Sequence, residues 1–306
     1  MRKFFEIWPE IARLLQEDAF LDLPGCDRYR AFAMSLSPAL PQIVTPSPSR
    51  SAKSGATGDG PGQPGSWSRS FPVPSGDSPL SAYFEALFAA YGPQHWWPGR
   101  SRFEIILGAI LTQNTSWKNV ERAIANLRAR KLLSPLAIQR VSAARLSASI
   151  RPAGYFRRKT QTLKTFVAFL YSRYGGSLDR LFATPTRILR EQLLGLRGIG
   201  PETADSILLY AGKHPVFVVD AYARRILERH GLADPRAKYE QLRAVFEWAL
   251  PHDRRLFNEF HALIVETGKL HCRKSNPACA TCPLAKFLPA AGGSREASPA
   301  SPVTPP

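Results

Sequence analysis

Between about residues 80 and 290, apolar positions recur at helical spacing. Phe103, Ile106, Leu107, Ile110 and Leu111 fall at i, i+3, i+4, i+7 and i+8, the pattern of a helix with one buried face. Comparable runs lie near 119–129, 160–174, 186–196, 202–212, 221–230, 237–249 and 255–268. Val216-Phe-Val-Val219 is β-prone, but it is short and leads straight into the next helical run. The pattern predicts an all-α fold in one contiguous globular region.

Composition sets the limits of that region. Residues 1–36 are an N-terminal extension of mixed character with no assignable role. Residues 37–80, including Pro46 to Gly65, are rich in Pro, Gly and Ser and are expected to form a disordered linker. The folded domain is expected at 81–290, followed by a disordered Pro-rich tail at 291–306. The net charge of +17 calls for a polyanionic partner, nucleic acid or an anionic membrane. No run reaches the roughly 18 apolar residues of a membrane span. Glu6 and Pro9 interrupt any leader-like apolar stretch, so a cytoplasmic location is expected. From Lys118 to Lys164 there are twelve Lys or Arg against one acid, Glu121, which fits a surface that follows phosphates.

Two segments carry candidate chemistry. In Leu196-Arg-Gly-Ile-Gly-Pro-Glu-Thr-Ala204, a helix runs into Gly198-Ile199-Gly200, and Pro201 opens the next helix. Such a turn can present backbone amides to a phosphate; it is also an ordinary way to pack a tight corner. Twenty residues on, Asp220 closes an apolar run and opens a helix. That is an N-cap position, and in an apolar setting it also suits a catalytic carboxylate. Three of the four cysteines, Cys272, Cys279 and Cys282, cluster near the C-terminus, a spacing that favours a metal or iron–sulfur loop over disulfides.

Taken in order, these segments resemble the endonuclease III-like, helix–hairpin–helix–GPD superfamily of DNA glycosylases. The resemblance runs from about Ser81 to Pro289 and includes Phe103–Thr115, Ile150–Lys159, the hairpin at 188–212, the Val-Val-Asp segment and the cysteine loop at 272–288. It implies a two-lobed helical fold, base excision from damaged double-stranded DNA by a monomeric, nucleoid-associated enzyme, and a catalytic role for Asp220. Glu202 stands where the bifunctional branch has its lyase lysine, and a carboxylate cannot form an imine, which implies a monofunctional enzyme. His95-Trp-Trp-Pro98 and Trp117 resemble the bacterial 3-methyladenine glycosylase branch. By that resemblance Trp96, Trp97, Trp117 and Glu202 line a base pocket for an alkylated purine. Gly198, Ile199, Gly200, Gln113, Asn114, Arg157, Arg158 and Lys159 then contact DNA, with Gln113 and Asn114 filling the gap left by the extruded base or contacting the opposite base. The cysteine loop resembles a [4Fe–4S] loop, but Leu288 occupies the fourth cysteine position. His271 or Cys26 can complete the set, the loop can persist without a full cluster, or zinc can bind with another ligand. An oxidised-pyrimidine glycosylase/lyase and a non-catalytic DNA-binding module remain the alternative functions.

Overall fold

The computed structural model describes residues 78–94, 96 and 99–289. The N-terminal extension, most of the expected linker, the tail, Cys26, His95, Trp97 and Pro98 lie outside the described residues.

Twelve α-helices are described, and no strand occurs among the described residues. They are α1 (Pro79–Tyr91), α2 (Arg102–Leu111), α3 (Trp117–Ala129), α4 (Pro135–Arg140), α5 (Ala143–Ser149), α6 (Phe156–Tyr174), α7 (Leu178–Phe182), α8 (Thr186–Leu194), α9 (Pro201–Ser206), α10 (Ala221–Arg229), α11 (Tyr239–Ala249) and α12 (Arg254–Leu270). Helix α1 starts two residues before the expected domain boundary, with Ser78 as N-cap and Pro79 at the first position. Val216–Val219 is extended but pairs with no strand; all four side chains are buried.

The expected helix at 202–212 is broken in character. After α9 the backbone widens into a π-helical turn at Ile207–Ala211, closed by the bond from Gly212 N to Ile207 O at 3.0 Å.

Two apolar cores give the two lobes. The first joins α2–α8 with Ile199, Ala204, Ile207 and Leu208 of the hairpin. The second is built from α1 and α10–α12, with Leu209, Tyr210 and Phe217–Val219. The π turn therefore serves both: Leu208 enters one core, while Leu209 and Tyr210 enter the other. A buried ion pair fixes the hairpin helix from the side. Arg190 on α8 donates to both carboxylate oxygens of fully buried Asp205 (2.7 and 3.0 Å) and also to Glu240 on α11 (2.7 Å).

Candidate active site

The hairpin leaves α8 at Leu194 and turns through Gly198-Ile199-Gly200 into α9. Its two glycines differ. Gly198 has φ +93°, and a Cβ there would lie 2.1 Å from Thr162 Oγ1 on α6. Gly200 has φ −96°, open to any residue, and an added Cβ would meet nothing within 4 Å. Only Gly198 is required by the fold. Gly200 leaves an open backbone face of the kind a phosphate can approach. Between them, buried Ile199 anchors the turn in the first core.

Gln113 is tied to this turn. Its Nε2 donates to Gly198 O (2.9 Å) and to Thr203 Oγ1 (2.8 Å), joining the end of α2 to the hairpin. Asn114 beside it is exposed and adopts a left-handed φ of 51°. Arg157 and Arg158 are exposed at the start of α6, but Lys159 is not a surface cation. It is 2% exposed, and its Nζ donates to Leu111 O and Ala153 O, both at 2.8 Å. Burial holds its pKa down to about 8. The spacing places Lys159 on the inward face of α6, and its ammonium satisfies carbonyls at the end of α2 and in the turn before α6. Lys164 likewise caps α4 through the carbonyls of Ile138, Gln139 and Val141, and Arg128 pairs with Glu104. The other nine cations of the basic run stay exposed, so a phosphate-binding face is retained.

Tyr155 was not singled out by the sequence. It is 66% exposed, is held at φ +43° immediately before α6, and sits next to Arg157 and Arg158. A Gly-Tyr pair ahead of a basic helix was its only signal.

Asp220 is the N-cap of α10. Its Oδ1 accepts from Tyr222 N (2.9 Å) and Ala223 N (2.8 Å), so one oxygen caps the helix and Oδ2 remains for other chemistry. Glu202 sits in the first turn of α9, open to solvent on one side and crowded by protein on the others. Desolvation, reinforced by the Asp220 charge, pushes its carboxyl up to about 7. The two carboxylates thus share one electrostatic site, brought together from the hairpin and the second lobe.

The three tryptophans do not behave alike. Trp96 packs against the second core on the side of Tyr210, and Lys269 Nζ lies 5.4 Å from its ring centroid. It is therefore close to the Asp220 neighbourhood, with a lysine already beside its ring. Trp97 lies outside the described residues. Trp117 begins α3 and donates to Glu121 Oε1 at 3.0 Å. It lines an open cleft with Gly99, Glu104, Gly108 and Arg128, and neither Asp220 nor Glu202 is among the described lining residues.

Cys272, Cys279 and Cys282 line one small pocket, together with His271 and Leu288. Cys272 Sγ accepts a hydrogen bond from Arg229 at 3.3 Å, and burial pushes the Cys282 thiol up. Leu288 has no lone pair to offer. Among the described residues, no three His, Cys, Asp or Glu side chains come together around a single metal ion. Three thiols and a leucine do not complete a four-thiolate cluster.

A family model described as HhH-GPD superfamily base excision DNA repair protein matches residues 107–251. A Methanocaldococcus jannaschii protein provisionally named a DNA repair glycosylase is 46% identical over 205 residues, covering 67% of this chain and 93% of the relative. The chain belongs to the HhH-GPD superfamily of base excision DNA repair proteins. Among solved structures, it is similar to an H. pylori 3-methyladenine DNA glycosylase bound to 1,N6-ethenoadenine (28% identity, TM-score 0.54, covering 61% of this chain and 96% of that one). A non-covalent endonuclease III–DNA complex shares the fold (21% identity, TM-score 0.60, covering 68% of this chain and 93% of that one). No helix among the described residues is long and apolar enough to cross a membrane.

Proposed function

We propose that the chain is a monofunctional DNA glycosylase that hydrolyses the N-glycosidic bond of alkylated purines extruded from double-stranded DNA. The observation that carries this reading is the carboxylate pair. Asp220 is anchored by helix amides through one oxygen only, and Glu202 stands where the lyase amine of the bifunctional branch belongs. The likeness to the H. pylori alkylpurine enzyme supports the substrate class.

In this reading, the hairpin backbone and the exposed arginines hold phosphates, and Tyr155 offers an aromatic face to the opened base stack. As the C1′–N bond breaks, the bonding pair leaves with the base. Positive charge grows on the sugar, where anionic Asp220 stabilises it. Water adds to C1′ and gives its proton to a carboxylate of the pair. A cationic alkylated purine is already a good leaving group, so the site needs no strong acid beside it. The cysteine loop, lacking its fourth thiolate at Leu288, takes no part in these steps.

The test is base release from duplexes carrying 3-methyladenine, 1,N6-ethenoadenine or thymine glycol, each with and without alkali. Release of alkylated purine with strand breaks only after alkali, abolished in Asp220→Asn, is the expected result. Breaks at thymine glycol without alkali would overturn it.

A further inference from the structure

Behind Asp220 runs a buried chain of polar side chains that the steps above do not use. His261 of α12 is 4% exposed. Its Nδ1 lies 2.6 Å from the Tyr210 hydroxyl, and its Nε2 lies 3.8 Å from Asp220 Oδ2. Nε2 is fully buried and has no hydrogen-bond partner. Burial lowers the pKa of the imidazole, with the Asp220 charge opposing, so the ring is neutral and carries one proton.

The identity of the protonated nitrogen follows from donor chemistry. A carboxylate can only accept, and Asp220 Oδ2 is the charged acceptor that faces Nε2, 3.8 Å away. That charge favours the ring proton on Nε2 and leaves Nδ1 to accept from the Tyr210 hydroxyl.

We propose that His261 is a positioning residue for Asp220: its Nε2–H, with Nδ1 engaged by the Tyr210 hydroxyl, holds the carboxylate oxygen that the helix amides leave free. Two amides on Oδ1 alone allow the carboxylate to rock; a donor at Oδ2 fixes its plane toward the sugar. The 3.8 Å separation is longer than a hydrogen bond, and a small approach of the two groups on duplex binding would complete the bond and satisfy a buried donor. The groups facing this relay are Asp220, Glu202, Tyr210 and His261 themselves.

This rests on Asp220 being the reacting carboxylate, and the experiment separates the two ideas. The full chain, labelled with ¹⁵N-histidine, is examined by NMR without DNA, with His261 assigned by comparison with His261→Gln. The expected spectrum at neutral pH is a neutral Nε2–H tautomer, with protonation setting in at lower pH than for a free imidazole. Tyr210→Phe should release it toward Nδ1–H. The same variant should slow single-turnover base release about tenfold while leaving duplex affinity unchanged. His261→Gln, which keeps a donor, should retain more rate than His261→Leu. An Nδ1–H tautomer in the wild type, or Tyr210→Phe with unchanged tautomer and rate, overturns the proposal. An active Asp220→Asn would instead remove the catalytic reading and leave the NMR result standing.

Discussion

Replacing each hairpin glycine by alanine separates what the turn does for the fold from what it does for DNA. In Gly198→Ala the new Cβ must sit at φ +93° and 2.1 Å from Thr162 Oγ1. Rotating Thr162 alone leaves a tight contact, because its Cβ stays 3.2 Å from the same point. Left-handed backbone costs an L-residue about 1–2 kcal/mol, and overpacking costs about 1–3 kcal/mol more. Reduced freedom of the unfolded chain returns about 0.4–1 kcal/mol. The net loss, roughly 2–4 kcal/mol, corresponds to a fall in Tm of about 10 °C for a domain of this size. Thr162→Ala in the same chain removes the hydroxyl and methyl, so the double variant should recover the overpacking part and keep the backbone part. Gly200→Ala, with an extended φ and empty space around its Cβ, should melt like the wild type yet bind duplex more weakly, since its methyl occupies the face offered to a phosphate. Calorimetry and fluorescence anisotropy on the three variants read both effects. An unchanged Tm in Gly198→Ala, or unchanged binding in Gly200→Ala, would refute the corresponding half.

Glu202→Lys should create a complex with abasic DNA that borohydride traps, where the wild type gives none; gel electrophoresis shows it directly. The raised Glu202 pKa means that the folded chain keeps a proton the unfolded chain loses between about pH 4.5 and 7. Its contribution to stability therefore falls as pH rises through that window, and Glu202→Gln should flatten that part of the denaturation profile. Lys159 has the opposite sign: the folded chain sheds its proton from about pH 8 while the unfolded chain holds it to about 10.5. Stability should thus gain with pH above 8, a slope that disappears in Lys159→Met. Leu288→Cys supplies the fourth thiol; after anaerobic reconstitution it should carry more iron than the wild type, measured by iron assay and visible absorbance. Equal loading of the two would show that another donor already completes the set.

Most long helices were legible because each repeats its apolar spacing over several turns: α2 was read to within a residue, and α6, α10 and α12 to within a few, whereas α1 was given no run of its own. Helices α4, α5 and α7 were not, since five to seven residues bury one or two side chains each and leave no period to detect. Their serine N-caps at Ser134, Ser142 and Ser177 were the available signal. At the site, Asp220 and the hairpin stand out because their backbone roles restrict residue type. Tyr210 and His261 lie 51 residues apart and look like core residues until the fold brings them together. Lys159 shows the converse limit: charge counted along the chain does not tell which ammonium faces inward.

The widened turn at Ile207–Ala211 sets a reading frame for everything after it. A π turn accommodates one residue more than an α turn, and each residue advances an α-helix by about 100°. Deleting any one residue there would let the helix close into a regular α form, with backbone bonding intact and composition scarcely changed. A deletion ahead of Tyr210 would nevertheless turn its side chain by about 100° relative to α9, away from His261, and would take Leu208 and Leu209 out of register with the cores they fill. This stretch should therefore tolerate many conservative replacements while admitting no change in length, so a deletion scan, rather than a substitution scan, would mark it as the most sensitive place in the domain.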